Sequence, residues 1–281
     1  MSITVEPIKP AIGAVVHVDR ARLCDAETVR AVREALEKHS VLVFPRLDLT
    51  DAEQLAFTDS LGTRVNFPRY MPNSSRRMDD IYRVGFDDTF DDRKEFVQGT
   101  FFWHIDGVMI EMPVSKATLL TARKLSDKGG QTDFASLYAA YAALPEAEKK
   151  ELESLRVIHS LAPSMKLVFE DPTEEQIKSW RKEGSQAERP LVWTHKSGRK
   201  SLVIGFSADR VVGMPVPDGR ALLIRLLEWA AQPEFRYTHQ WQKGDLVLWD
   251  NTAVIHRVIP YDQKSGRAMH RTTIAGTEMI A

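Results

Sequence analysis

Residues 244–256, GDLVLWDNTAVIH, read as a β-strand, a polar turn and the start of a return strand. The uninterrupted apolar run Leu246-Val247-Leu248-Trp249, bounded by Gly244-Asp245 and Asp250-Asn251, has the form of a buried strand. His256 follows where the return strand begins, which gives a buried sheet a side chain able to ligate a metal. Outward from this hairpin, the apolar stretches 117–123, 155–161, 191–195 and 201–206 are equally short. Gly, Pro, Asp or Ser bounds most of them, as strands of an all-β core are bounded.

Helices flank these strands. Asp25 followed by apolar Val29, Val32, Ala35 and Leu36 predicts a capped amphipathic helix that gives way at His39-Ser40 to a buried strand, Val41 to Phe44. Thr50 and Glu53 have capping-box spacing before a short helix with Gly62 as its terminator. Tyr138 to Leu155 is helical with an early break at Pro145, and Gly219 to Gln232 carries an apolar face of Leu222, Leu223, Leu226, Leu227 and Trp229. Residues 63–99 turn polar and charged, the texture of a lid or substrate loop, and 163–190 reads as a second insertion. No repeat or Gly/Ser linker divides the chain, so 1–281 is expected to be one domain.

Bulk composition excludes several classes. A formal net charge of -1 from 38 basic and 39 acidic residues is no footprint for nucleic acid. The start has no basic, apolar secretory pattern, and no apolar run reaches the roughly 20 residues a membrane helix needs. Cytoplasmic residence without a membrane partner is the expectation. The single cysteine, Cys24, builds neither an internal disulfide nor a thiolate zinc site.

Among eight histidines, two contexts stand out. In Phe101-Phe102-Trp103-His104-Ile105-Asp106, read as a strand, His104 and Asp106 project from one face. His256 can add a third ligand. Two imidazoles and one carboxylate leave open positions on octahedral iron(II), the facial arrangement of non-haem oxygenases, whereas zinc prefers a tetrahedral site richer in nitrogen or sulfur. His-x-Asp alone is weak, since His17-Val18-Asp19 repeats it with no expected meaning. Downstream, Arg267 and Arg271 lie four residues apart in a further strand pattern, on one face, while His270 should point away.

Together these stretches resemble the taurine dioxygenase and dichlorophenoxyacetate dioxygenase family of iron(II)/α-ketoglutarate enzymes, from Ile12-Gly13-Ala14 to Arg271-Thr272-Thr273. Ser40 to Phe44, Leu222 to Glu228 and Phe235 to Asn251 look especially like the dichlorophenoxyacetate member. The resemblance implies a mainly β fold with flanking helices, the double-stranded β-helix or jelly roll, cupin-like. It implies iron(II) on His104, Asp106 and His256, with the distal carboxylate of α-ketoglutarate on Arg267 and Thr132, and the acidic group of the substrate on Arg271. Without it, Gly129-Gly130-Gln131-Thr132 reads only as a turn.

The activity so implied uses dioxygen to hydroxylate a small organic anion as α-ketoglutarate is decarboxylated to succinate. An aryloxyalkanoate is preferred, with taurine or another alkylsulfonate and a biosynthetic oxidative tailoring step as alternatives. A homo-oligomer is expected from the same likeness. A non-catalytic metal-binding jelly roll is the rival from another class, and the Arg267/Thr132 carboxylate clamp argues against it. Asp250 and Asn251 are expected to shape the turn, and Phe102, Trp103 and Trp249 to pack the core or line an aryl pocket. His17, His39, His159, His195 and His239 are expected to be structural. Ile105 departs from the small polar residue of many relatives, and 63–99, least like either named enzyme, is where substrate choice is expected to lie.

Overall fold

The computed structural model describes residues 3–65, 77–78, 81–86, 94–109, 113–181 and 185–280. Its main sheet has the strand order β1 (Ile3–Pro7), β2 (Ala14–Val18), β3 (Val41–Phe44), β14 (Leu246–Asp250), β6 (Ala117–Lys124), β16 (Ala268–Ile274), β5 (Ile81–Val84) and β4 (Arg77–Met78). A second sheet runs β13 (Arg236–His239), β7 (Thr132–Ser136), β15 (Val254–Val258). A third runs β12 (Ala208–Val211), β8 (Arg156–Ser160), β9 (Gln186–Pro190), and β10 (Val192–Thr194) pairs with β11 (Lys200–Leu202). Among the described residues every pairing is antiparallel except β2 with β3.

The period-two geometry of a strand sorts the apolar runs into layers. On β3, Leu42 and Phe44 face outward with Leu246 and Leu248 of β14, against Val32 and Leu36 of helix α1 (Ala26–His39) and Phe57 of α2 (Asp51–Leu61). Val41, Val43, Val247, Trp249 and Met269 turn the other way and meet Phe134 and Val254 of the second sheet. Ala135 and Ile255, one residue on, pack into a third cluster under helix Val216–Ala230 with Leu223 and Leu226. The hairpin 244–256 thus places β14 in one sheet and β15 in the sheet facing it, the jelly-roll arrangement the resemblance implies.

Several local expectations change. Helix Val216–Ala230 starts three residues before Gly219, because Pro217 in the first turn lacks an N–H that has no intrahelical partner there anyway. The 138–155 stretch is two helices, Leu137–Ala142 and Glu146–Glu153, parted at Pro145. The 201–206 run leaves its strand after Leu202, and the Phe206 N–H instead donates to the Trp103 carbonyl (2.8 Å). The Thr50/Glu53 capping box forms, but Asp25 gives its carboxylate to Arg22 rather than to the α1 N–H groups. Gly62 ends α2 in an extended conformation, and a Cβ there would stand 2.7 Å from Ile274 Cγ2, so close packing sets that residue.

Of 63–99, β5 extends the main sheet beside β16 and helix Lys94–Gly99 leads to the His104 segment. The rest of the lid expectation, 66–76, 79–80 and 87–93, lies outside the described residues. In 163–190, β9 pairs with β8, while 182–184 lie outside them.

Candidate metal and co-substrate site

Three side chains from two distant segments converge. His104, Asp106 and His256 each offer one ligand atom, all within 4.8 Å of one another, the one such group among the described residues. The strand expected at 101–106 does not form. His104 makes a single antiparallel bridge with His256, each N–H donating to the other's carbonyl at 3.0 Å, and Asp106 begins a turn in which Gly107 takes φ 81°. The segment thus covers the free edge of β15 for one residue pair and turns away. Alternation across 104–106 survives, with His104 Nε2 3.8 Å from Asp106 Oδ1.

Neighbouring groups fix the orientation of these ligands. His104 Nδ1 lies 2.8 Å from the Phe102 carbonyl, so it is the protonated nitrogen and the Nε2 lone pair faces Asp106. His256 packs 4.9 Å from Trp249 and stacks on Phe134. Burial, and then His104 beside it, holds His256 down to about 3, so it stays neutral. Burial alone raises the Asp106 carboxyl, but Arg271, 3.6 Å away, the two imidazoles and the Thr118 hydroxyl outweigh it and bring it to about 2. An ionised Asp106 and a neutral His256 are protonation states that suit ligation of a divalent cation.

A second cluster lies where β7, β15 and β16 meet. Arg267 is 3% exposed, with its guanidinium over the Tyr261 ring and Nη2 donating to the Gly130 carbonyl (3.1 Å). Among the described residues its Nε–H has no acceptor and no carboxylate pairs with it, and burial lowers its pKa against an opposing effect of Tyr261. Gly130 (φ 79°) permits this approach, since a Cβ there would lie 3.0 Å from Arg267 Nε. Thr132, two residues on and 2% exposed, pairs with Val258 while Phe134 pairs with His256, so its side chain shares the face of His256. A buried guanidinium with no carboxylate partner among the described residues has the chemistry to hold a carboxylate in bidentate fashion.

Met269 between Arg267 and Arg271 packs in the inter-sheet core, whereas His270 faces α2 and pairs with Asp51 (2.8 Å). Both arginines therefore share the inner face.

Residues 4–273 match the model described as "Taurine catabolism dioxygenase TauD, TfdA family". The chain belongs to the TauD/TfdA family. This makes it an oxidoreductase of the iron(II)- and α-ketoglutarate-dependent dioxygenase class. It is 36% identical to the α-ketoglutarate-dependent 2,4-dichlorophenoxyacetate dioxygenase of Cupriavidus pinatubonensis, over 97% of this chain and 98% of that one. It is also 36% identical to the (S)-phenoxypropionate/α-ketoglutarate dioxygenase of Sphingobium herbicidovorans, over 97% and 94%. The crystal structure of AAD-2 in complex with Mn(II) and N-oxalylglycine superposes with a TM-score of 0.81 at 34% identity, covering 99% of each chain.

Most other histidines of this TauD/TfdA chain have local partners. His17 is exposed near Glu6, and Asp19 caps a short 3-10 turn, so the second His-x-Asp binds nothing together. His159 meets Ser207, His195 meets Ser201 and Glu278, and His239 sits between Tyr237 and Asp245. His39 is buried at the end of α1.

Trp249 is core. Trp103 turns its ring under Arg257, and Phe102 stacks on Phe206; all but Trp249 line a cavity of about 860 Å³ that His104 and His256 do not line. Sequence reasoning missed Phe206, whose ring meets His104 edge-on, and Thr118. The Thr118 hydroxyl, with Asn251 Nδ2 donating to it at 2.9 Å, supports Asp106. A threonine inside the apolar run 117–123 was the available signal for Thr118.

Burial also sets an acid limit. His256 is held to about 3 and His159 to about 4, both chiefly by desolvation, below the ordinary 6.5. Below pH 6.5 the unfolded chain therefore binds protons that the folded chain refuses, and stability falls as pH drops toward those values. The metal-free protein should melt several degrees lower at pH 5 than at pH 7.5, with His159→Gln shrinking the difference. A thermal midpoint flat over that range would exclude this account.

Among the described residues no helix is long and apolar enough to cross a membrane.

Proposed function

We propose that His104, Asp106 and His256 hold the iron(II) ion, that Arg267 and Thr132 hold the distal carboxylate of α-ketoglutarate, and that Arg271 receives the anionic group of an aryloxyalkanoate-like substrate. The observation that carries the reading is the buried Arg267 guanidinium with no described carboxylate partner. A planar, permanently charged fork suits a carboxylate in bidentate fashion, and a bare metal-binding scaffold has no use for one. Iron(II) supplies activation of dioxygen, coupled to decarboxylation of α-ketoglutarate to succinate and to hydroxylation of a substrate C–H bond.

The chain's own residues bind and orient. Arg267 anchors the co-substrate, the Thr132 hydroxyl donates beside it, and the Phe102 carbonyl keeps the His104 Nε2 lone pair available. Phe134 and Trp249 exclude water behind His256. Arg271 stands beside Asp106 on the face it shares with Arg267, so an anion held there has its carbon skeleton near the metal group. Hydroxylation of an aryloxyalkanoate next to its ether oxygen gives a hemiacetal, which splits into a phenol and an oxo acid. The two dioxygenases of Cupriavidus and Sphingobium, acting on a phenoxyacetate and a phenoxypropionate, support this substrate class.

The test is succinate release from α-ketoglutarate with iron(II), ascorbate and air, with and without phenoxyacetate. Stimulation with phenol formed in equal amount supports the assignment. Stimulation by taurine instead moves the substrate to an alkylsulfonate, and no succinate under any condition favours a non-catalytic jelly roll. Arg271→Ala should raise the KM of the anionic substrate about tenfold or more while sparing α-ketoglutarate binding, as loss of a charge-assisted contact predicts. Loss of α-ketoglutarate binding in that variant would mean the two arginines are exchanged. The same reading takes 1–281 as one catalytic domain working in the cytoplasm as a homo-oligomer, which sedimentation velocity checks.

A further inference from the structure

Thr132 has one hydrogen-bond partner for its side chain among the described residues, and that partner fixes where its proton can go. Trp241 Nε1 lies 3.0 Å from Thr132 Oγ1. An indole N–H only donates, so the hydroxyl oxygen accepts, and its own proton finds no acceptor among the described residues. Thr132 lies two residues beyond the Gly130 carbonyl that receives Arg267 Nη2. A hydroxyl left with a free proton beside a buried cation suits a carboxylate ligand.

Trp241 is itself held in place. The His239 ring meets it edge-on, with centroids 4.6 Å apart at 84°. His239 is pinned on both nitrogens, with Nδ1 2.9 Å from the Tyr237 hydroxyl and Nε2 3.0 Å from Asp245 Oδ2. Asp245 in turn accepts the backbone N–H groups of Gln242 (2.8 Å) and Arg46 (3.0 Å), tying the 240–245 turn to the end of β3. These groups are mostly buried, and the Tyr237–His239–Asp245 chain has no described contact with the metal group. The indole direction, and not only its bulk, is therefore specified.

We propose that Trp241 is a positioning residue for α-ketoglutarate: its indole N–H occupies the acceptor side of Thr132, so that the hydroxyl is presented as a donor to the co-substrate's distal carboxylate. This rests on the assignment of Thr132 and Arg267 to that carboxylate. Without the indole N–H the hydroxyl is free to rotate, and it can spend its proton elsewhere.

The test is a double-variant cycle on the full chain loaded with Mn(II), read by calorimetric binding of α-ketoglutarate and separately by KM and kcat of the iron(II) enzyme. Trp241→Phe keeps most of the ring and deletes the N–H. It should weaken α-ketoglutarate binding about three- to tenfold, the range for one lost hydrogen bond, with kcat changed less than about twofold. Thr132→Val should weaken binding by at least as much, and the double variant no more than Thr132→Val alone, because Trp241 acts through that hydroxyl. In spectra of indole-15N-labelled protein, the resonance absent from Trp241→Phe should move on adding N-oxalylglycine, and should not move in Thr132→Val. That measurement needs no second folded Trp241 variant. Multiplying losses in the double variant, or unchanged affinity in Trp241→Phe with a weakened Thr132→Val, overturns the proposal alone. Unchanged affinity in Thr132→Val overturns the carboxylate assignment beneath it.

Discussion

Asp106→Ala should abolish α-ketoglutarate turnover and weaken Mn(II) or iron(II) binding by more than about a hundredfold. Losing a supporting residue around a metal ligand typically costs about 10- to 100-fold in affinity, so losing the only carboxylate in the group should cost more. The charge balance acts in the same direction. Arg271 stands 3.6 Å from the Asp106 carboxylate, and with the carboxylate gone the site keeps that positive guanidinium without the nearby negative charge, an environment less favourable to a divalent cation. The fold should persist, because Asp106 lies in a turn outside the sheet ladders. Metal content by atomic absorption, Mn(II) resonance titration and the thermal midpoint separate loss of the site from loss of the protein. Unchanged metal content together with unchanged turnover would remove the triad assignment.

Arg267→Met should have effects of opposite sign on ligand binding and on ligand-free stability. Truncating one partner of a buried charge pair costs about 2–5 kcal/mol, so α-ketoglutarate affinity should fall about thirtyfold or more. In the ligand-free protein the guanidinium is buried with no described carboxylate to offset its desolvation, and that burial lowers its pKa. Methionine keeps the packing over Tyr261 and removes the charge, so the ligand-free thermal midpoint should stay level or rise. Wild-type protein should gain several degrees from saturating α-ketoglutarate and Mn(II), and the variant should lose most of that gain. A variant that binds α-ketoglutarate within threefold of wild type, or that melts well below it without ligand, would show that Arg267 serves the fold rather than the co-substrate.

Different physical scales limit what the sequence makes legible. The strands at 41–44 and 246–250 are readable because a strand buried on both faces is mostly apolar, that at 117–124 through its Leu119-Leu120 centre, and the capping box at Thr50/Glu53 because it is contained within four residues. The 101–106 segment is misread as a strand because alternation also describes any extended stretch, and only β15 decides that it pairs at one residue. Gly62 is legible as a terminator but not for its reason, which is the Ile274 side chain from the far end of the chain. Thr132 is legible through resemblance alone, since Gly129-Gly130-Gln131 before it has the composition of any turn.

The residue types and spacings of His104, Asp106 and His256 pointed by themselves to a two-histidine, one-carboxylate group, and strand parity put Arg267 and Arg271 on one face, because ligand type and parity are properties of side chains and of local backbone geometry; the roles expected of the two arginines came from the family resemblance. Whether those residues meet depended on the tertiary structure. It places β14 and β15 in facing sheets, bridges His104 to His256 at 3.0 Å, and buries Arg267 without a described counter-ion. It also decided the supporting layer of Thr118, Asn251, Trp241 and Phe206, whose roles rest on contacts across many residues of chain that no local pattern records. Local preferences act over a few residues, whereas the direction of a hydroxyl proton or the desolvation of one guanidinium is set by whatever the folded chain brings beside it.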